Sequence, residues 1–331
     1  MSRHHVQRRA SGAWIGAVAV AVLAAAIAFG PAPPGSCAGP ASAPGASPRP
    51  AAAPIAVFVS ILPQAYFVER VGGDRVTVDV LVKPGQSPHV FEPTPKAMAA
   101  LSTARAYFAI GLPFESVLLG RITSLAPGIE IVDTSRGIER RPGEGHDHAE
   151  NGKPGSSPGA AGSGAAHDEA DPHIWVSPRL VKIQAQNICK GLEAVDPAGT
   201  QVYRENLALF LSDLDLLDAE LAAAFAPLRG RSFLVFHPAF GYLADAYGLR
   251  QIPIEVAGKE PGPKELALVI ERAKREGIRI IFTEPQFSEK TARAVAREIG
   301  GAVVSMDALA YDYLANLRRM AEEVRKGLSL Q

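Results

Sequence analysis

Histidine is the informative residue type in this chain. Of eight histidines, His4 and His5 lie at the start and His146, His148 and His167 lie in one low-complexity stretch, leaving His89, His173 and His237 for the rest. Each of these three touches a proline, in Pro88-His89, Pro172-His173 and His237-Pro238. Proline fixes its own φ and restricts the residue before it, so a side chain beside it is aimed rather than left to wander. Three neutral imidazoles on stiff turns from distant parts of a chain would make most of a tetrahedral Zn²⁺ shell. Taken singly, each reads equally well as a hydrogen-bonded core or surface histidine. Only the three together, as the whole complement of the folded part, point to a metal.

The elements that must position them begin near Ile55. About 275 residues follow, too many for one simple core and right for two α/β lobes. In the first half, β-branched or apolar runs at Ile55 to Ser60, Val76 to Val82, Ala106 to Ile110 and Glu130 to Val132 read as strands with helices between them. Thr94 and Pro95 mark one helix start as cap and first residue. The second half repeats the pattern at Phe233 to Phe236, Gln251 to Val256, Arg279 to Thr283 and Ala302 to Ser305. Strands alternating with helices of this length predict parallel sheets. Between the halves, residues 196–226 carry the longest helical pattern, with Asp196 as cap, Pro197 at the first position and leucines at 207, 209, 211, 214, 216, 217 and 221. At 1.5 Å per residue this is a rod of roughly 40 Å, read as a rigid link between lobes 55–195 and 227–331.

On this map His89 follows the strand ending at Val82, His237 follows Phe236 directly, and His173 sits on the turn before the helix start Ser177-Pro178. Open parallel sheets present ligand sites at the carboxyl ends of their strands, where loops converge. Asp307, two residues beyond Ser305, is a fourth group at such an end, and reads either as a ligand or as a turn former. Residues 137–171 form a long insert rich in Gly, Pro, Ser, Ala and acids. Its histidines, interleaved with carboxylates, read as a weak auxiliary cation trap or as incidental members of a solvated spacer.

Upstream, a basic start with Arg8 and Arg9 precedes the apolar run Trp14 to Phe29, read as a signal peptide or an uncleaved anchor over residues 1–29. Residues 30–54, mostly Pro, Ala, Gly and Ser, read as a tether. Cys37, after Gly35-Ser36, resembles the end of a lipoprotein box in which Pro34 replaces the usual Leu or Val. The expected location is therefore periplasmic or otherwise extracytoplasmic, with membrane tethering through the anchor or a lipid on Cys37 as an alternative. Cys189 lies inside a helical pattern and is expected to be a small core residue rather than half of a disulfide. Thirty-four Lys and Arg balance 34 Asp and Glu, which gives no electrostatic footprint for nucleic acid or an anionic membrane.

Five colinear stretches carry a family resemblance: Pro88-His89-Val90-Phe91-Glu92-Pro93-Thr94-Pro95, Gly111-Leu112-Pro113-Phe114-Glu115, Asp171-Pro172-His173-Ile174-Trp175-Val176-Ser177-Pro178, Phe236-His237-Pro238-Ala239-Phe240-Gly241-Tyr242 and Glu284-Pro285-Gln286-Phe287. From about Ile55 to the end the chain resembles the cluster A-I periplasmic substrate-binding proteins of metal-specific ABC transporters, in their zinc branch. The resemblance implies two four-stranded α/β lobes joined by a long rigid helix, with one Zn²⁺ bound between them as transported ligand. It places the ligands on His89, His173 and His237, with Asp307 or water as the fourth. It also implies a monomer that hands its ion to a membrane permease served by a cytoplasmic ATPase. Manganese and iron members tend to put a carboxylate where this chain has His237, so the ligand set leans to zinc, with Mn²⁺ or Fe²⁺ as the alternative. A zinc hydrolase would need an open metal position with a base beside it, and the nearest imitation, His89-x-x-Glu92, runs into Pro93 rather than along a helix. An adhesin role would rest on surface properties that the residues do not show. The sequence has neither a phosphate-binding Gly-x-x-x-x-Gly-Lys-Ser/Thr loop nor multiple membrane spans, so the chain is not expected to drive transport itself, and the resemblance implies a binding protein rather than an enzyme.

Overall fold

The computed structural model describes residues 53–143, 170–255 and 259–329. Four strands make the first sheet: β1 (Ile55–Val59), β2 (Val76–Val80), β3 (Ala106–Ala109) and β4 (Glu130–Asp133), all parallel in the order β2-β1-β3-β4. Helices α1 (Leu62–Gly72), α2 (Pro95–Leu101) and α3 (Pro113–Leu125) supply the crossovers. Val57, Val59, Ala106 and Phe108 of the two central strands have no exposed surface, as parallel strands covered on both faces require. Thr94 caps α2 as expected, its hydroxyl accepting from Ala97 N at 3.2 Å.

Two helices follow, α4 (Pro178–Val195) and α5 (Thr200–Phe225). Gly191 lets α4 lie on the first sheet: a Cβ there would stand 2.6 Å from Val132 and 3.0 Å from Phe108. Cys189, on the same helix, is buried as a small core residue. The long helix starts later than its sequence pattern predicts. Asp196 does not cap it, because its carboxylate is taken by Arg75 (2.7 Å) and by the Tyr203 hydroxyl (2.5 Å), and a short 3₁₀ turn over Pro197–Gly199 intervenes. Its buried stripe is Tyr203, Phe210, Leu214, Leu217, Leu221 and Phe225, whereas Leu209 and Leu216 are exposed. The stripe advances by threes and fours, as a helix face must, and residues 209 and 216 fall off that face. The helix packs on α1, α4 and α9 (Tyr313–Ser329), inside one apolar core that also takes in Phe67, Phe233 and Tyr313.

The second sheet repeats the first: β5 (Ser232–Val235), β6 (Arg250–Pro253), β7 (Ile280–Thr283) and β8 (Ala302–Ser305) are parallel in the order β6-β5-β7-β8. Its crossover helices are α6 (Gly241–Tyr247), α7 (Pro263–Arg275) and α8 (Glu289–Glu298). The eight predicted strands are thus all present, seven of them within two residues at either end, while β6 stops at Pro253, three residues short of its predicted end. In both sheets the strand order reverses beside the first strand, which is where such sheets open a crevice for a ligand. Among the described residues no helix is long and apolar enough to cross a membrane. The apolar run 14–29 and Cys37 lie outside the described residues.

Candidate metal centre

His89 is carried by a 3₁₀ turn over Pro88–Val90, whose preceding residue Ser87 accepts from His89 N at 3.3 Å through its hydroxyl. Phe91, next along, meets Phe114 of α3 edge to face at 5.0 Å between ring centres and pins the turn to the first lobe. His173 precedes a buried turn over Ile174–Val176, and Trp175 donates its indole N–H to Ala308 O at 2.8 Å, tying the floor of the site to the second half of the chain. His237 lies just past β5. Val235 pairs with Pro253 on one side and Phe282 on the other, so counting two residues onward sets His237 level with Glu255 and Glu284. Its ring stacks on Phe287 at 4.8 Å.

These three turns bring three imidazole nitrogens together. His89 Nε2 lies 3.2 Å from His173 Nε2 and 3.0 Å from His237 Nε2, and the last two are 3.2 Å apart. Nitrogens on a tetrahedral Zn²⁺ shell with bonds near 2.0–2.1 Å stand about 3.3–3.4 Å from one another, so the observed triangle is close to the size zinc needs. The protons are assigned by the partners on the far side of each ring. His173 Nδ1 sits 2.8 Å from Asp171 Oδ1, and His237 Nδ1 sits 2.5 Å from Glu255 Oε2. A carboxylate takes an N–H, which leaves the Nε2 lone pair of each ring bare and aimed inward. Two bare lone pairs 3.2 Å apart repel; a cation among them turns repulsion into coordination. The cavity they face is about 10 Å³, room for one ion or water and for no organic molecule.

Burial, reinforced by the charges of His173 and His237, pushes His89 down to about 3. Burial also lowers His237, even though Glu255 pulls the other way. Asp171 is held below the ordinary carboxylate range: burial alone would raise it, but hydrogen bonding to His173 and the Arg141 charge outweigh burial. These directions favour neutral imidazoles, the form that binds metal. They also fix a sign for stability. An imidazole of the unfolded chain protonates near 6.5, so between about 6.5 and 3 the unfolded chain takes up a proton that folded His89 refuses. The metal-free protein is therefore expected to lose stability as pH falls through that window. In thermal melts at about pH 7 and pH 5, the metal-free wild type should lose more melting temperature than His89→Asn. Equal losses would remove His89 from the account.

The three predicted histidine ligands are assembled; Asp307 is not part of their group. Its Oδ1 instead accepts from Leu309 N (2.9 Å) and Gln286 Nε2 (3.0 Å), closing a local turn, so the expectation of Asp307 as fourth ligand is not met in this arrangement. His146, His148 and His167 lie outside the described residues. Glu92 is exposed and does not line the cavity. Three acids escaped the sequence reading: Asp171 and Glu255, which orient the rings, and Glu284, which lines the cavity. The signal was present, since Glu255 is the penultimate residue of one predicted strand and Glu284 directly follows another, both at the same edge as His237.

The family model for the zinc-uptake complex component A, periplasmic (ZnuA), matches residues 57–327. The chain belongs to this family. A relative, the zinc-binding protein AdcA of Streptococcus pyogenes serotype M3, is 30% identical over 285 residues, covering 82% of this chain and 55% of that protein. The chain thus spans little more than half the length of that relative. The high-affinity zinc uptake system protein ZnuA of Bacillus subtilis is 28% identical over 256 residues, covering 76% of this chain and 78% of its own length. Among solved structures, a zinc-bound deletion mutant of ZnuA is 41% identical and covers 84% of this chain and 99% of that one, with a TM-score of 0.74. The two four-stranded parallel lobes and the long helix are those of the ZnuA-family fold.

Proposed function

We propose that this chain captures Zn²⁺ outside the cytoplasm and delivers it to an ABC permease for import. The observation that carries the reading is the triangle of Nε2 atoms within 3.2 Å of one another, two of them bared by carboxylates on the opposite ring nitrogen. His89, His173 and His237 hold the ion. An all-imidazole set suits Zn²⁺ better than Mn²⁺, which prefers oxygen. A cavity of about 10 Å³ supports a carrier over a hydrolase, because a hydrolase must also seat its substrate. Zinc-uptake and zinc-binding relatives support the same assignment. The partners are a membrane permease and its cytoplasmic ATPase, and the chain acts as a monomer. In this reading residues 1–29 export the chain, residues 30–54 tether it, and 196–226 link lobes 55–195 and 227–331; retention at the membrane runs through the anchor or a lipid on Cys37. Metal analysis of protein purified from the periplasm tests the proposal. One zinc per chain is expected, and a preparation carrying manganese or iron instead would sink it.

The insert is expected to be dispensable for the tight site. Its described ends meet as a bridge between Pro142 and Ala170, with Asp171 N donating to Arg141 O at 2.8 Å, so a short turn can close the same gap. Replacing residues 144–169 by two or three glycines should leave one tight zinc site and abolish weaker extra binding in a calorimetric titration. Identical isotherms for the two proteins would make the insert a spacer and nothing more.

A further inference from the structure

Asp171, which orients the His173 ring, lies on no strand. Glu255 is set against His237 by strand pairing, whereas Asp171 only follows the isolated bridge between Pro142 and Ala170 at the neck of the insert. Its Oδ1 serves His173 twice, at the backbone N (2.9 Å) and at Nδ1 (2.8 Å), and its Oδ2 faces Arg141 Nη1 at 3.3 Å. Arg141 stands across the neck, its carbonyl accepting from Asp171 N at 2.8 Å, and its side chain reaches further: Nε lies 2.6 Å from Asp245 Oδ2 on α6 of the second lobe. Tyr242, also on α6, completes the seat. Its hydroxyl accepts from Arg141 N at 2.9 Å and donates to Asp171 O at 2.8 Å, and its ring centre lies 5.7 Å from the guanidinium carbon. The guanidinium occupies a slot that only glycine leaves open, because a Cβ on Gly241 would stand 1.4 Å from Arg141 Nη1.

Resting on the zinc-carrier reading, we propose that Arg141 is a positioning residue for the ion: it holds the Asp171 carboxylate, and through it the His173 ring, against α6 of the second lobe. A carboxylate gripped by one oxygen alone can turn about its last side-chain bond, and the ring it orients turns with it. Gripping Oδ2 as well removes that freedom. Asp171 is buried, so its charge also needs a counter-charge inside the fold, and a planar guanidinium can meet two carboxylates at once where an ammonium cannot. The outer pair with Asp245, whose side chain is mostly in solvent, contributes little energy by itself and serves to aim the guanidinium. The series Asp245, Arg141, Asp171, His173 thus ties one metal-binding ring to a helix of the other lobe, and zinc is held tightly only while the neck sits on α6.

The test is zinc affinity by chelator competition on the full chain, with Arg141→Met and Gly241→Ala made singly and each combined with Asp171→Asn. Arg141→Met removes the grip. Gly241→Ala keeps every charged group and fills the seat, and alanine at the start of α6 puts the fold at little risk. Each single change is expected to weaken zinc by about tenfold, the lower end of what a lost partner behind a metal-binding imidazole costs. With Asp171→Asn already present, neither should weaken zinc by more than about a further twofold, since Arg141 acts through Asp171. Arg141→Lys should recover only part of the loss, because one ammonium cannot span both carboxylates. Wild-type affinity in both Arg141→Met and Gly241→Ala would overturn the assignment. So would losses of equal size with and without Asp171→Asn, which mark a brace between the lobes rather than a residue acting on His173. Failure of the wild type itself to bind zinc would instead defeat the carrier reading, so the two failures are told apart.

Discussion

Replacing any one of His89, His173 or His237 by alanine is expected to weaken zinc binding by at least about a hundredfold. Structural zinc sites contribute about 10–16 kcal/mol spread over four ligands, or about 3 kcal/mol for each, and a factor of ten in affinity is about 1.4 kcal/mol. The effect should be similar at all three positions, since each Nε2 lies within 3.2 Å of the other two and none is peripheral. Water can enter the place of a deleted ring, which caps the loss. Competition against a chromophoric chelator measures it, and a variant with unchanged affinity would take that residue out of the shell. Metal-free folding should survive each change: removing one of three crowded lone pairs relieves repulsion in the empty site. Thermal melts of the metal-free variants therefore separate a lost ligand from a lost fold.

The second large effect is expected far from the metal, at Glu115. Its buried carboxylate accepts from the backbone N–H of Ile110, Gly111 and Leu112, at 3.1, 2.5 and 3.1 Å, and from the hydroxyls of Ser60 and Tyr107. It thus closes the turn between β3 and α3, where Gly111 supplies the positive φ of 85° that the turn needs. Glu115→Ala would strand the N–H groups of buried Ile110 and Leu112 and leave that of exposed Gly111 to water. At about 1–3 kcal/mol for each unsatisfied buried donor, the loss of stability should be about 2 kcal/mol or more. Urea unfolding reads it directly, and a loss below about 1 kcal/mol would show that water replaces the carboxylate. Because Phe114 on α3 braces Phe91 beside the His89 turn, the same variant is expected to loosen that ligand in the molecules that remain folded.

Both predictions depend on local rigidity delivered by non-local contacts, and the same division separates what was legible in the residues from what was not. The three clustered histidines could be picked out because each is fixed by its neighbours in the chain: a proline at one side, and a strand end or helix start within a few residues. The eight strands were legible for a similar reason, being short β-branched runs bounded by turn residues, and such runs have few alternatives in an α/β pattern. The insert was recognisable by composition alone, though its described ends and their bridge were not.

The partners of the imidazoles belong to another class of fact. Glu255 reaches His237 only because β6 pairs with β5 in one register, and Glu284 flanks it only because β7 takes the other side; a slip of one residue would turn either side chain to the opposite face. Asp307 stands where a strand-end ligand should, yet the amide of Leu309 and the side chain of Gln286 claim its oxygen first. Likewise Asp196 has the sequence of a helix cap, and Arg75, distant in the chain, takes the carboxylate away. Leu209 and Leu216 look like the core leucines around them until the helix turns them to solvent. The side chains able to bind a metal, and the elements that carry them, can be read along the chain because both depend on near neighbours. Which acids orient the rings depends on strand register and lobe packing, whose hydrogen-bond partners no local pattern can name.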